Sequence, residues 1–419
     1  MATSEPTSKS ASKPIFVYLQ RPDDGEWVTV GRYLFDEARQ TGSFRYAPSY
    51  VDKGLAWSID PVNLPFRADH EWTAGRYRGL HDALRDACPD AWGRSLLRRQ
   101  HNIPEDAPDW RFLEASSNAE RWGALAIGRT PKASVAHIAS PRLPQLEMLA
   151  NELVAIAQHA PPGDAKLRQR LLTTPSMGGA RAKTTIRDGE TYWLVKPYLP
   201  SDIANIPLLE HFAQAWGRKA GLNFAKTVYH PIGAGLGAVR ILRFDRHGER
   251  RLMTLSGASL LQTECPGQSI AAEWSYPRLA EELRRIGAPA EDRIELFGRM
   301  VFNAVCGNDD DHPRNHAVVF LPQENRWRLS PAFDVVPNPD EDTPIALSMQ
   351  LSLGRTDISR EAILGNDVRF GFASREEATA YLDNLLKRIE HGFELAAQDL
   401  TDNLRGLMTA RLRENLRKV

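Results

Sequence analysis

The sequence predicts an α+β fold in which a strand-rich first half is followed by a mostly helical second half. Three observations carry this. Up to about Arg250 the apolar residues come in short runs separated by turn residues, as in IFVYLQ from Ile15 and TYWLVKP from Thr191. Beyond Arg250 they recur every three or four positions, as at Ile294, Phe297, Val301 and Val305. Between that helical stretch and the apolar run Val318–Phe320 lies a polar loop, GNDDDHPRNHA from Gly307. At 419 residues the chain exceeds one ordinary core, so two or three domains are expected.

The elements follow in order. Residues 1–13 are polar, lack the apolar core of a signal peptide and read as a disordered tail. Residues 14–130 form a first module mixing strands and helices. In it IFVYLQ, a turn at Asp23-Asp24-Gly25, WVTVGRYLF and SFRYAPSYV read as strand, HDALRDACPDAWGRSLLRRQ reads as helical, and GALAIGR closes the segment. Residues 131–248 begin with a loop from Pro131 to Pro144, after which Leu146, Leu149, Leu153 and Ile156 mark one helix face. After a break at Pro161 to Gly163 the chain turns strand-rich from Leu171. A hairpin turns at Asp188-Gly189, a helix runs from about Pro207 to Ala220, and strands end at AVRILRFDR. Residues 249–419 are the helical region. Ser374 and Glu377 make a capping box there, and Leu404, Leu407, Met408 and Leu412 mark a last amphipathic helix packed on the core.

Composition narrows the function classes. Lys+Arg and Asp+Glu are both 53, so the formal charge is zero and no bulk basic field holds nucleic acid. No helix-turn-helix pattern or basic arm is evident. Cys88, Cys265 and Cys306 are far apart and form no Cys-x-x-Cys pair, which argues for a reducing cytoplasm and against disulfides or a zinc site. No run approaches the length of a membrane helix, so a soluble cytoplasmic protein is expected.

The loop carries the chemistry. Asp310 precedes Asn315 by five residues, and Asp334 follows in an apolar Phe-Asp-Val setting. Phosphoryl transfer needs a carboxylate for the proton of the attacking hydroxyl, then an amide oxygen and a second carboxylate to hold Mg²⁺ against nucleotide phosphates. The Asp-x₄-Asn spacing equals that of a protein-kinase catalytic loop, and Phe-Asp-Val stands where a kinase shows Asp-Phe-Gly. The bland alternative is a solvated acidic turn at Asp309, Asp310 and Asp311. A calcium loop is disfavoured because no Gly stands at its sixth position. On the nucleotide side, Gly178 and Gly179 in SMGGARAKT can bring backbone N–H groups close to phosphate, although a Gly-Gly pair alone also fits a plain turn. Lys196 sits in an apolar strand where a charge needs a partner, and Glu210 on the following helix is the natural one. Pro197 keeps open the reading of a strand-end lysine facing water.

The set SMGGARAKT, WLVKP, LLEHFAQAWGRKAGL, VRILRFDR, GNDDDHPRNHAVVF and LSPAFDVVP resembles the HipA-type serine/threonine kinases, toxins of HipA/HipB toxin–antitoxin modules. SFRYAPSYV, DACPDAWGRSLL and ERWGALAIGR resemble that family's amino-terminal part more weakly, and the likeness spans nearly the whole chain. The resemblance implies a protein-kinase-like bilobal fold with an added N-terminal α/β subdomain, and ATP and Mg²⁺ as cofactors. It implies Asp310 as catalytic base, His312 as the loop histidine, and Asn315 and Asp334 as metal ligands. Lys196 is implied as the nucleotide-binding lysine, and Leu242 to Phe244 as the strand meeting adenine. Ser176 is implied as the autophosphorylation site that switches the enzyme off, with Thr173 and Thr174 beside it as alternatives. Leu242 in place of an acidic residue, and Pro313 inside the loop, depart from the family pattern. The implied partners are an aminoacyl-tRNA synthetase as protein substrate and a HipB-like helix-turn-helix antitoxin, through which any DNA contact would run. Two other readings are a kinase-fold phosphotransferase for a small molecule or nucleotide, and an inactive nucleotide-binding regulator.

Overall fold

A computed structural model describes residues 13–173, 179–233, 236–265 and 273–419. Helices and sheets are mixed along the chain, an α+β arrangement. Alternating Ile, Val and Tyr side chains build a five-stranded antiparallel sheet from β1 (Ile15–Gln20), β2 (Trp27–Asp36), β3 (Thr41–Tyr46), β4 (Glu71–Ala74) and β5 (Leu125–Gly128), in the order β4-β3-β2-β1-β5. SFRYAPSYV is strand only in its first half. Pro48 opens a short helix, Pro48–Asp52, because its fixed φ suits a first helical turn better than a ladder. The helices Asp82–Asp86, Ala91–His101 and Asp109–Ala115 follow within this module.

The helix Leu146–Ala157 buries Leu146, Leu149, Leu153 and Ile156, the face that their spacing predicts. The segment leading toward the Gly-Gly pair is a helix, Ala165–Thr173, which the sequence reading lacked. Next comes a four-stranded antiparallel sheet, β6 (Thr184–Asp188), β7 (Thr191–Pro197), β8 (Thr227–Ile232) and β9 (Leu236–Leu242), in the order β6-β7-β9-β8. The β6–β7 hairpin closes from Asp188 to Thr191 as predicted. The helix Ile206–Lys219 starts at an Asn205 cap, whose Oδ1 accepts from Leu208 N at 3.1 Å. It drives Trp216 against Phe302 and Phe393, joining this sheet to the helices beyond.

The later half contains the long helices Ala290–Cys306, Arg375–Ala396 and Asp402–Leu416. The first is buried on all sides from Leu296 onward, not on the one stripe that the periodicity suggests, because other helices surround it. A small hairpin, β10 (Arg246–His247) with β11 (Arg250–Arg251), and a three-stranded sheet of β12 (Thr254–Ser256), β13 (Ala317–Leu321) and β14 (Arg326–Leu329) add to the helical content expected here. Ser374 caps the Arg375–Ala396 helix by accepting from Glu377 N, but the Glu377 carboxylate reaches Ala373 N, one residue earlier than a capping box requires.

Candidate active site

Gly307, in the left-handed region at φ 77°, ends the Ala290–Cys306 helix and turns the chain into the polar loop. β13 takes up the chain again two residues after Asn315, so the loop is anchored at both ends. Within it the three aspartates have different surroundings. Asp311 is buried, accepting from Tyr276 Oη at 2.7 Å and from Ser348 N at 2.6 Å, and burial pushes its carboxyl up to about 7. Asp309 accepts from Asn338 Nδ2 at 2.6 Å. Asp310 projects outward with its side chain 79% exposed and His312 Nε2 3.8 Å away. The protein crowding its approach and the charges of Asp334 and Asp309 raise its pKa, against the pull of His312 and Lys196. Asn315 is buried and donates its Nδ2 to the Asp310 carbonyl at 2.7 Å, which leaves its Oδ1 as an acceptor.

Asp334 follows Phe333 with φ 58°, a strained value for a residue with a side chain and one that recurs at functional sites. Its Oδ1 accepts from Lys196 Nζ at 2.6 Å. Lys196 lies on β7, an inner strand, opposite Val239 of β9. The same ammonium donates to Glu210 Oε1 at 2.7 Å and Oε2 at 3.0 Å. Lys196 therefore faces a buried partner, not water as a strand-end lysine would. Burial opposes its charge, but Asp334 and Glu210 outweigh it and raise its pKa. Glu210 is raised by burial despite Lys196, whereas the half-buried Asp334, though desolvation opposes its charge, is brought down to about 2 by Lys196 and Lys183. One lysine thus serves two carboxylates and leaves negative charge over.

These donors fit a hard divalent cation. Asp334 is ionised near neutral pH, and Asn315 offers a carbonyl oxygen. Among the described residues no three His, Cys, Asp or Glu side chains converge as a cage, so a metal here would draw its remaining oxygens from phosphates and water, as Mg²⁺ does in nucleotide sites. Gly179 fits the phosphate side. At φ 90° it adopts a backbone closed to most side chains, and a Cβ there would lie 3.0 Å from Lys183 Nζ and 3.5 Å from Asp334 Oδ2. Ser176 and Gly178, with Thr174, lie outside the described residues. Leu242 ends β9 opposite Trp193, and the half-buried Phe244 packs its ring on Phe333 at 5.4 Å and on Trp122 at 6.0 Å. Phe244 thus connects the segment after β9 to the Phe-Asp-Val turn.

Sequence reasoning passed over Lys183 and Arg314. Lys183 stands just before β6 and is buried, but the polar Thr184 and Thr185 that follow it give none of the apolar-strand signal that singled out Lys196. Arg314, inside the loop, gives no such signal, because its partner Asp86 lies far away in the chain.

The fold belongs to a recognised class. A family model described as HipA-like C-terminal domain matches residues 175–393, more than half of the chain, so the chain belongs to the HipA-like family. Its fold is similar to HipA of the Shewanella oneidensis MR-1 toxin–antitoxin system, solved with HipB and its operator DNA. The TM-score is 0.70 over 96% of this chain and 96% of that one, at 16% identity, which speaks to fold alone. A partial likeness to the Helicobacter pylori proinflammatory kinase CtkA has a TM-score of 0.44 at 13% identity, over 58% of this chain and 90% of that one. No curated protein matches the chain. Among the described residues no helix is long and apolar enough to cross a membrane.

Proposed function

We propose that this chain is an ATP- and Mg²⁺-dependent protein serine/threonine kinase of bilobal, protein-kinase-like build, acting as the toxin of a toxin–antitoxin module. The observation that carries the reading is the Lys196 ammonium held at once by Glu210 and by Asp334, with the exposed Asp310 and the Asn315 carbonyl on the neighbouring loop. We divide the chain near residues 130 and 248 into an N-terminal module, a nucleotide-side region and a helical region.

In this reading Lys196 orients the nucleotide phosphates while Glu210 keeps its ammonium in place. Gly179, with Gly178 beside it in the chain, is proposed to offer backbone N–H groups to the phosphates, and Leu242 and Phe244 are proposed to line the adenine side. Asn315 and Asp334 hold Mg²⁺, which when bound neutralises phosphate charge. Asp310 accepts the proton of the attacking hydroxyl, and its exposure lets a protein side chain reach it. His312, close to the Asp310 carboxylate, tempers the base's affinity for a proton. The substrate we propose is an aminoacyl-tRNA synthetase, and the partner a HipB-like antitoxin that carries the contact with operator DNA. The fold shared with a HipA solved beside HipB and DNA supports this partner. Ser176 is proposed as the self-modification site, where a phosphate would repel the nucleotide's own charge.

The test is incubation with γ-labelled ATP, Mg²⁺ and a cell lysate, followed by mass mapping. Label in one synthetase and at Ser176 is expected from the wild type and in neither from Asp310→Asn. Label transferred to a small molecule, with no protein labelled, would overturn the protein-kinase reading.

A further inference from the structure

One short stretch of the N-terminal module, Asp86 to Asp90, reaches both sides of the site. Asp86 ends the helix Asp82–Asp86 and is buried. Its Oδ1 accepts from Ser256 Oγ at 2.8 Å and lies 3.3 Å from Arg314 Nη1. Its Oδ2 accepts from Ser256 N and from Ser259 Oγ, both at 2.7 Å. These contacts hold the carboxylate in place, so Arg314 meets a charge that cannot swing away. Arg314 directly precedes Asn315 in the catalytic loop.

Asp90 caps the Ala91–His101 helix, its Oδ1 accepting from Gly93 N at 2.6 Å. Its Oδ2 takes Lys183 Nζ at 3.1 Å, and both side chains are buried. Lys183 is the side chain that a Cβ at Gly179 would meet, and its charge acts on Asp334. Arg85 and Arg94 converge nearby on Asp109, at 3.0 and 2.8 Å. Arg85, Arg94, Arg314 and Lys183 thus face Asp86, Asp90 and Asp109, four cations against three carboxylates. Neutralising any one acid would leave a buried cation short of its partner, and such a group shifts.

We propose that Asp86 and Asp90 are positioning residues for phosphoryl transfer, Asp86 acting on the catalytic loop through Arg314 and Asp90 on the phosphate-side loop through Lys183. The N-terminal module then sets the spacing between the two halves of the site. This rests on the phosphotransfer reading above. The two acids have separable effects, because Arg314 adjoins the loop that carries Asp310, whereas Lys183 adjoins the glycine that faces the phosphates.

The test uses full-length Asp86→Asn and Asp90→Asn, each nearly isosteric. Asp86→Asn should lower kcat by about tenfold to a hundredfold with KM for ATP nearly unchanged, and Asp90→Asn should raise KM for ATP by about tenfold with a smaller change in kcat. Arg314→Gln added to Asp86→Asn should cost no more than either change alone, and Arg314→Gln by itself probes the contact should Asp86→Asn fail to fold. Equal losses of kcat in both acid variants, with KM unaltered, would reduce both acids to a role in stability and overturn the proposal. Hydrogen exchange gives a readout free of catalysis. Asp86→Asn should speed exchange across 308–316 and Asp90→Asn across 179–185, and wild-type rates in both variants overturn the clamp. A wild-type chain that transfers no phosphate overturns the functional reading, and the exchange data then decide by themselves whether the two acids hold their loops.

Discussion

The two sides of the proposed kinase site, nucleotide and acceptor, are built in opposite ways. On the nucleotide side, Lys196 and Glu210 are buried and locked together, with Asp334 added from the helical half. On the acceptor side, Asp310 is open to solvent, with a single histidine at 3.8 Å. A buried ion cluster keeps its geometry before any ligand arrives, because each group lacks water to turn to. An exposed carboxylate can receive a bulky partner but must be positioned through its backbone, here by the Asn315 amide on the Asp310 carbonyl and by the anchored loop ends.

The difference can be broken or sharpened by substitution. Asp310→Asn should lower phosphoryl transfer by about 10²–10⁴-fold while nucleotide affinity by calorimetry stays near that of the wild type, because the base is needed only when the hydroxyl attacks. Full activity in that variant, with activity lost on changing Asp309 instead, would put the base one residue earlier in the loop. Lys196→Met should cost about 3–5 kcal/mol of stability in denaturant unfolding, since it strands the buried Glu210 carboxylate beside the half-buried Asp334. Adding Glu210→Leu should recover much of that stability without restoring ATP binding. A Lys196→Met variant as stable as the wild type would mean that the buried cluster is not locked at all.

Gly179→Ala should be milder, costing about 1–2 kcal/mol through its positive φ and raising KM for ATP more than it lowers kcat. Unchanged ATP affinity would separate Gly179 from the phosphates. The smallest effect is on pH dependence. A base with a raised pKa is protonated and inactive below that pKa, so activity falls with decreasing pH sooner than for an ordinary aspartate. The acidic limb of the kcat profile should therefore lie above the usual aspartate range, and His312→Gln, which removes an opposing charge, should move it higher still. A limb at the ordinary value would remove the crowding of Asp310 from the account.

Much of this was legible in the sequence because it depends on neighbours along the chain. The spacing from Asp310 to Asn315 is read directly from the loop, while the apolar face of Leu146–Ala157 and the Asp188-Gly189 hairpin follow from a helix period and a turn pair that act over a few residues; of the face expected on Asp402–Leu416, Met408 and Leu412 are buried and Leu404 and Leu407 half-buried. Lys196 could be matched to Glu210 because a charge in an apolar strand demands a partner and the next helix supplies one. SFRYAPSYV misled because its aromatic alternation continues past Pro48, where the backbone has already turned helical. Ala165–Thr173 was missed because its mixed Lys, Arg and Leu pattern is short and ends near the glycines.

The order of chemical groups, the class of fold and the pairing of Lys196 with Glu210 are therefore properties of the sequence alone. Tertiary structure decided which of three adjacent aspartates faces outward, since the burial of Asp311 depends on Tyr276 and Ser348 and the restraint of Asp309 on Asn338. It also decided that Asp334 joins Lys196 across 138 residues, and that Asp86 and Asp90 reach Arg314 and Lys183. The reason is physical: periodicity and turn chemistry are encoded locally, whereas the partner of a buried charge is whichever group the packing of distant elements brings within hydrogen-bond range.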